Sequence, residues 1–206
     1  MIAIIDYGMG NIHSVRKALE IYGAKVIVTN SAKVISSADK IVLPGVGAFD
    51  DAMSELERRG LVSVLKEQIK KNKPFLGICL GMQLLFEKSE EARKKAGLGI
   101  LRGSVKKFAM KNKKIPHMGW NQIKFKVQSA KCKCKLLTNI PEDAFVYFCH
   151  SYYPAPKDKF TIAATCNYGS DFTSVVAKDN IYGVQFHPEK SQEVGLRMLK
   201  NFVKLC

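Results

Sequence analysis

Pro74-Phe75-Leu76-Gly77-Ile78-Cys79-Leu80-Gly81 is an apolar run that ends in Gly-x-Cys-x-Gly and passes into the helical pattern Met82-Gln83-Leu84-Leu85-Phe86. Glycines on either side of a short turn let a strand and the following helix approach closely, and the residue between them stands out on a strained backbone. On this reading Cys79 is the nucleophile of a cysteine elbow. Its thiol lies at a helix N-terminus, where unpaired N–H groups and the macrodipole favour the thiolate. The alternative is a core cysteine, because free Cys is among the most buried residue types. The pentapeptide alone leaves both open.

Upstream of the elbow, strand and helix patterns alternate. Ile2–Asp6 is an apolar run, followed by helical spacing of Ile12, Val15, Leu19 and Tyr22 within Asn11–Tyr22 and a stop at Gly23. Lys25–Thr29 and Lys40–Leu43 read as strands, the latter ended by Pro44-Gly45-Val46-Gly47. Phe49–Gly60 and Leu61–Lys71 read as helices, broken at Gly60, before the strand Phe75–Ile78. Strands apolar on both faces, alternating with helices, predict an open, mostly parallel α/β sheet with helices on both faces. Ligands in such sheets bind beyond the carboxyl ends of the strands. Cys79 and the Pro44–Gly47 turn both fall at such ends and should face one crevice.

The second half has shorter strand patterns: Gly99–Phe108, Gln122–Val127, Phe145–Phe148, Phe160–Cys166, Phe172–Ala177 and Tyr182–His187. Turn residues between them predict antiparallel strands added to the sheet. An amphipathic helix over Ser191–Leu205 closes the pattern. No repeat, low-complexity tract or linker interrupts residues 1–206, so a single domain is expected.

Composition narrows the class. With 47% hydrophobic and 25% charged residues the chain is an ordinary globular protein. No apolar run approaches the ~18 residues of a bilayer span. Met1–Asp6 lacks the basic start of a signal peptide, so a cytoplasmic location is expected. Six cysteines are too sparse for a disulfide scaffold, and Cys132-x-Cys134 has no second pair at zinc spacing, so exposed strand residues are expected there. The net charge is +15, and Lys106–Lys135 holds ten lysines and no acidic residue. Only Phe108, Trp120 and Phe125 interleave as aromatics, with no nucleic-acid-binding motif. A solvated basic face, or one meeting an acidic or phosphorylated partner, fits better than nucleic acid.

The elbow acquires its meaning from Ile181-Tyr182-Gly183-Val184-Gln185-Phe186-His187-Pro188-Glu189. A cysteine nucleophile needs an imidazole, and the imidazole needs an orienting group on its other nitrogen. Glu189 can turn back to His187 because Pro188 fixes the intervening backbone.

Gly-Ile-Cys-Leu-Gly-Met-Gln together with Gln-Phe-His-Pro-Glu-Lys-Ser resembles the class I (triad) glutamine amidotransferases. Asp6-Tyr7-Gly8-Met9-Gly10-Asn11, Leu43–Gly47, Pro116-His117-Met118-Gly119-Trp120-Asn121 and His150-Ser151-Tyr152 narrow the resemblance to the glutaminase subunits of imidazole glycerol phosphate synthase. The resemblance implies a flavodoxin-like fold and a triad of Cys79, His187 and Glu189. It implies attack of Cys79 on the glutamine amide to give a γ-glutamyl thioester, with His187 shuttling protons. Oxyanion donors would come from Leu80 and from the Gly45-Val46-Gly47 turn. Gln83, Glu91, Ser151 and Tyr152 match positions that contact glutamine; without the resemblance they read as surface polarity and a solvated strand end. Asn11, Trp120, Tyr147 and Lys190 match the face that docks a (β/α)₈-barrel synthase subunit. Ammonia passes there into the reaction that yields imidazole glycerol phosphate and aminoimidazole carboxamide ribotide, in histidine biosynthesis. Full activity is expected to require that partner and its substrate.

Asp6–Asn11 also resembles a nucleotide loop, but His13 stands where a dinucleotide fingerprint needs its third glycine. No nucleotide cofactor and no metal are expected. The nearest alternative is a paralogous glutaminase feeding a surface-sugar amidating enzyme. Further off are a stand-alone γ-glutamyl hydrolase and a basic binding module.

Overall fold

The computed structural model describes residues 1–109, 113–126 and 134–206. Its apolar runs form β1 (Ile2–Ile5), β2 (Val26–Thr29), β3 (Lys40–Gly45), β4 (Phe75–Cys79) and, far along the chain, β12 (Ile181–Val184). These five lie parallel in the order β2-β1-β3-β4-β12. Alternate residues go to opposite faces, as the period of a strand requires. Ile4, Val42, Leu76 and Val184 join one core cluster, and Ile5, Ile41, Phe75 and Ile181 the other. Helices α1 (Ile12–Glu20) and α6 (Gln192–Leu205) cover the first face. The second is covered by α2 (Ala32–Ser37), α3 (Phe49–Arg58), α4 (Leu61–Lys70) and α5 (Leu80–Gln83). Asp50 and Asp51 in the first turn of α3 and Arg58 in its last complement the helix dipole. Gly60, with φ of +67°, makes the left-handed break to α4.

Beyond β12 the sheet continues antiparallel through β11 (Asp171–Lys178), β10 (Ile162–Asn167), β7 (His117–Phe125) and β8 (Phe145–His150). A second sheet joins β5 (Phe86–Ser89), β6 (Leu101–Lys107) and β9 (Tyr152–Pro156). No helix among the described residues is long and apolar enough to cross a membrane.

Several local expectations are corrected. The helical pattern through Phe86 stops at Gln83, because the carbonyls of Leu84, Leu85 and Phe86 accept from the N–H groups of 98–101 instead of a following helical turn. Phe160 opens no strand: Asp158 accepts from its N–H at 3.0 Å and holds a 3₁₀ turn over Lys159–Thr161, leaving the ring 74% exposed. Strand β7 starts at His117 instead of Gln122 and takes in Met118–Trp120. Short α2 and proline-bearing β9 carried too little pattern to be foreseen. Cys132 lies outside the described residues, as do Lys111, Lys131 and Lys133 of the basic segment. Cys134, expected to be an exposed strand residue, is half-buried ahead of a 3₁₀ turn, Lys135–Leu137.

Candidate active site

Parallel register brings the chemistry to one sheet edge. Gly45 pairs with Cys79 across β3 and β4, and Val184 pairs with Ile78, so β12 delivers His187 just beyond the same edge. Cys79 has φ +54° and ψ −111°, a conformation that costs about 1–3 kcal/mol in a non-glycine residue. Its neighbours force it. A Cβ at Gly81 would lie 1.9 Å from the Leu43 carbonyl oxygen, and one at Gly77 would lie 2.6 Å from that of Gly81. Only glycines let α5 settle this low on the sheet, which lifts the thiol above it.

His187 is buried, and its Nδ1 lies 2.9 Å from Glu189 Oε1. Because the carboxylate accepts, Nδ1 carries the proton and Nε2 is left for Cys79. Burial alone would lower the pKa of His187. Hydrogen bonds to Cys79 and Glu189, with their charges, outweigh burial and push it up to about 10. His187 is therefore suited to carry a second proton beside Cys79. The turn that carries Glu189 is a 3₁₀ segment, Pro188–Lys190, braced by Ser191 Oγ donating to the His187 carbonyl at 2.6 Å. Glu189 Oε1 also accepts from Asn11 Nδ2 at 3.5 Å, so a residue expected at a docking face touches the carboxylate that holds His187.

A cleft of about 290 Å³ opens over the thiol, lined in part by Val46, Gly47, Leu80, Gln83, Ser151 and Tyr152. Hollows of about 510 and 600 Å³ elsewhere have neither a cysteine nor a histidine among their lining residues. Gly47, with φ +98°, and half-exposed Val46 form the turn after β3. The Leu80 N–H is the first of α5, directly after Cys79. Glu91, also on the cleft wall, accepts from the Phe49 N–H at 3.0 Å. Burial raises its pKa against that bond, with Asp50 and Asp51 adding to the rise. Gln83 is buried, its Nε2 donating to the Tyr152 carbonyl and to Gln185 Oε1, both at 3.0 Å.

Two residues of this site were not read from the sequence. Gln185 Nε2 lies 3.6 Å from Cys79 Sγ. Its signal was a glutamine inside an otherwise apolar strand end, Ile181–Phe186. Tyr7, wholly buried, donates its hydroxyl to the Pro44 carbonyl at 2.9 Å at the start of the Gly45–Gly47 turn. Burial raises its pKa, and the charge of Cys79 raises it further.

The predicted docking residues divide. Trp120 and Tyr147 are registered cross-strand partners with rings edge to face at 6.1 Å, and Lys190 Nζ lies 5.9 Å from the Tyr147 ring centroid. Trp120 shares its surroundings with Met118 and Phe145, which are 62% and 53% exposed. Among the described residues no group of three or more His, Cys, Asp or Glu side chains could hold a metal ion.

The family pattern described as "Glutamine amidotransferase class-I" matches residues 3–206. "Imidazole glycerol phosphate synthase subunit HisH 2" of Methanococcus maripaludis is 50% identical over 206 residues, covering 99% of each chain. The HisH subunit of Aquifex aeolicus is 52% identical over 200 residues, covering 97% of this chain and 94% of that one. Among solved structures, a glutamine amidotransferase superposes with a TM-score of 0.74 at 13% identity, covering 97% and 98% of the two chains. PurLQS of Thermotoga maritima gives 0.71 at 16% identity, covering 98% and 96%. At those identities the likeness is one of fold.

Proposed function

The chain belongs to the class-I glutamine amidotransferases, and from this premise we propose that it is the glutaminase subunit of an imidazole glycerol phosphate synthase, acting in histidine biosynthesis. The observation that carries the chemistry is the buried alignment of Cys79, His187 and Glu189 at the carboxyl edge of the parallel strands.

Cys79 Sγ attacks the side-chain amide carbon of glutamine. The oxyanion that forms is stabilised by the N–H of Leu80 and by a peptide of the Gly45–Gly47 turn; loss of one such donor typically costs ~10²–10³ in rate. The imidazolium of His187 gives its proton to the leaving nitrogen, ammonia departs and a γ-glutamyl thioester remains. His187, now neutral, takes a proton from water, and hydroxide addition releases glutamate and the thiolate. Glu189 keeps Nδ1 protonated throughout, so the same nitrogen, Nε2, performs both transfers. Gln83, Glu91, Ser151 and Tyr152 hold the substrate.

The occupants of the docking face are a (β/α)₈-barrel synthase subunit and the ammonia passing into it, with Asn11, Trp120, Tyr147 and Lys190 at or near the contact. The half-exposed Trp120 beside exposed Met118 and Phe145 supports this reading. A cytoplasmic location follows from the biosynthetic role. Incubation of the complex with a glutamine-mimetic diazoketone tests the nucleophile: the expected result is one covalent adduct on Cys79. No labelling with partner and its ligand present would refute the assignment.

A further inference from the structure

A second set of buried imidazoles lies away from the triad. His117, at the start of β7, and His150, at the end of β8, are registered cross-strand partners, with His117 Nδ1 3.1 Å from His150 Nε2. Their relative exposures are 3% and 6%. Phe148 and Tyr168 stack on His117 at 4.8 and 4.0 Å between ring centroids. Phe108 and Phe172 close on His150 at 5.3 and 5.1 Å.

The two ends of the pair fix where the protons are. His150 Nδ1 lies 2.8 Å from the Tyr152 carbonyl oxygen, which can only accept, so Nδ1 carries the proton. At the other end Asn121 Nδ2 lies 3.2 Å from His117 Nε2 and 2.8 Å from the Asn167 carbonyl oxygen. The Asn167 contact fixes the orientation of the amide, and Asn121 Oδ1 accepts from the Gln122 N–H at 2.8 Å. His117 Nε2 therefore accepts, and its Nδ1 carries the proton to His150 Nε2. Every contact is satisfied by one proton per ring. A further proton on either ring would point at another donor, and burial pushes both pKa values down, to about 4 for His117 and about 3 for His150.

The chain ends on a working wall of the cleft. The Tyr152 carbonyl that accepts from His150 also accepts from Gln83, which binds Gln185, which reaches Cys79 Sγ. We propose that Asn121, His117 and His150 are positioning residues for glutamine hydrolysis, a one-way series of donors that fixes the Tyr152 carbonyl and, through it, the Gln83–Gln185 pair. The inference rests on the glutaminase reading. Both lone pairs are occupied, so neither ring acts as a base.

The test has two independent readouts on the complex with the barrel subunit. The chain has four histidines, so ¹⁵N-histidine labelling gives a simple long-range ¹H–¹⁵N spectrum, assigned by single variants. His117 and His150 should both show protonated Nδ1 and bare Nε2 at pH 7, a tautomer set by their hydrogen bonds. Asn121→Asp replaces the first donor by an acceptor, and His150→Phe keeps an aromatic ring, one atom larger, but removes the last donor. Each should raise the glutamine KM about fivefold, the size expected for one hydrogen bond, with kcat within twofold and ammonia-dependent synthesis unchanged. An Nε2–H tautomer at either ring, or an unchanged KM in both variants, would overturn the proposal. If a variant also loses ammonia-dependent synthesis it has misfolded or undocked, and the wild-type tautomers decide alone. A wild-type complex that hydrolyses no glutamine refutes the glutaminase reading instead and leaves the tautomer result standing.

Discussion

His187 and His150 are both buried within one cleft wall, yet their environments drive them in opposite directions. His187 meets a thiol and a carboxylate, which outweigh desolvation and push its pKa up, favouring the charged ring. His150 meets a carbonyl and another neutral imidazole, so desolvation wins and the ring stays uncharged. The contrast teaches that burial does not decide a histidine's charge; the number of negative partners inside the same dry space does. One imidazole is thereby made a proton carrier and the other a fixed strut.

Four experiments would break or sharpen that contrast, in descending order of expected effect. Cys79→Ala removes the proposed nucleophile, and glutamine-dependent turnover should fall by ~10⁴-fold or more, while ammonia-dependent synthesis by the complex persists. Loss of both activities would mean that Cys79 is structural. Glu189→Gln removes the charge behind His187 at constant shape; glutaminase kcat should drop by roughly 10²–10⁴-fold, and the His187 pKa should fall in an NMR titration. A pKa unchanged from that of the wild type would locate the charge effect in Cys79 alone.

The third experiment is a pH series of denaturant melts. His117 and His150 have folded pKa values below the ~6.5 of the unfolded chain. Their contribution is present above pH 6.5 and is lost as pH falls towards about 4 and about 3. His117 alone accounts for roughly 3 kcal/mol of that loss. His187 has the opposite sign: its contribution is full below pH 6.5 and lost as pH rises through about 10. As far as these three rings decide it, stability peaks near pH 6.5, and a flat profile from pH 4 to 7 would contradict the neutral pair. The smallest effect is that of Tyr7→Phe, which leaves the buried Pro44 carbonyl without its donor. It should cost about 1–2 kcal/mol in stability and little in the glutamine KM, measured by melting and steady-state kinetics.

The charged imidazole was legible in the sequence and the neutral pair was not, for a physical reason. Cys79 and His187 each sit in a short motif whose glycines or proline dictate local backbone, and parallel strand order then brings the motifs together. The His117–His150 contact depends on the register of β7 against β8, which no local pattern specifies. Expecting β7 to begin at Gln122 left His117 outside the sheet altogether. Gln185 and Tyr7 were missed likewise: each is one polar group in an apolar stretch, and its partner is remote in sequence. Helix α5 misled because Leu84–Phe86 keeps helical spacing while its carbonyls are claimed by residues 98–101.

The elbow stands between β3 and β12, the strands that flank β4 in the middle of the larger sheet. Segments so placed exchange their amide hydrogens only when the whole molecule opens, whereas edges and loops fray independently. The elbow therefore has no unfolding route of its own. On heating, diazoketone reactivity of Cys79 and the folded structure should be lost along one curve, and the Cys79 thiol serves as a reporter of the entire fold.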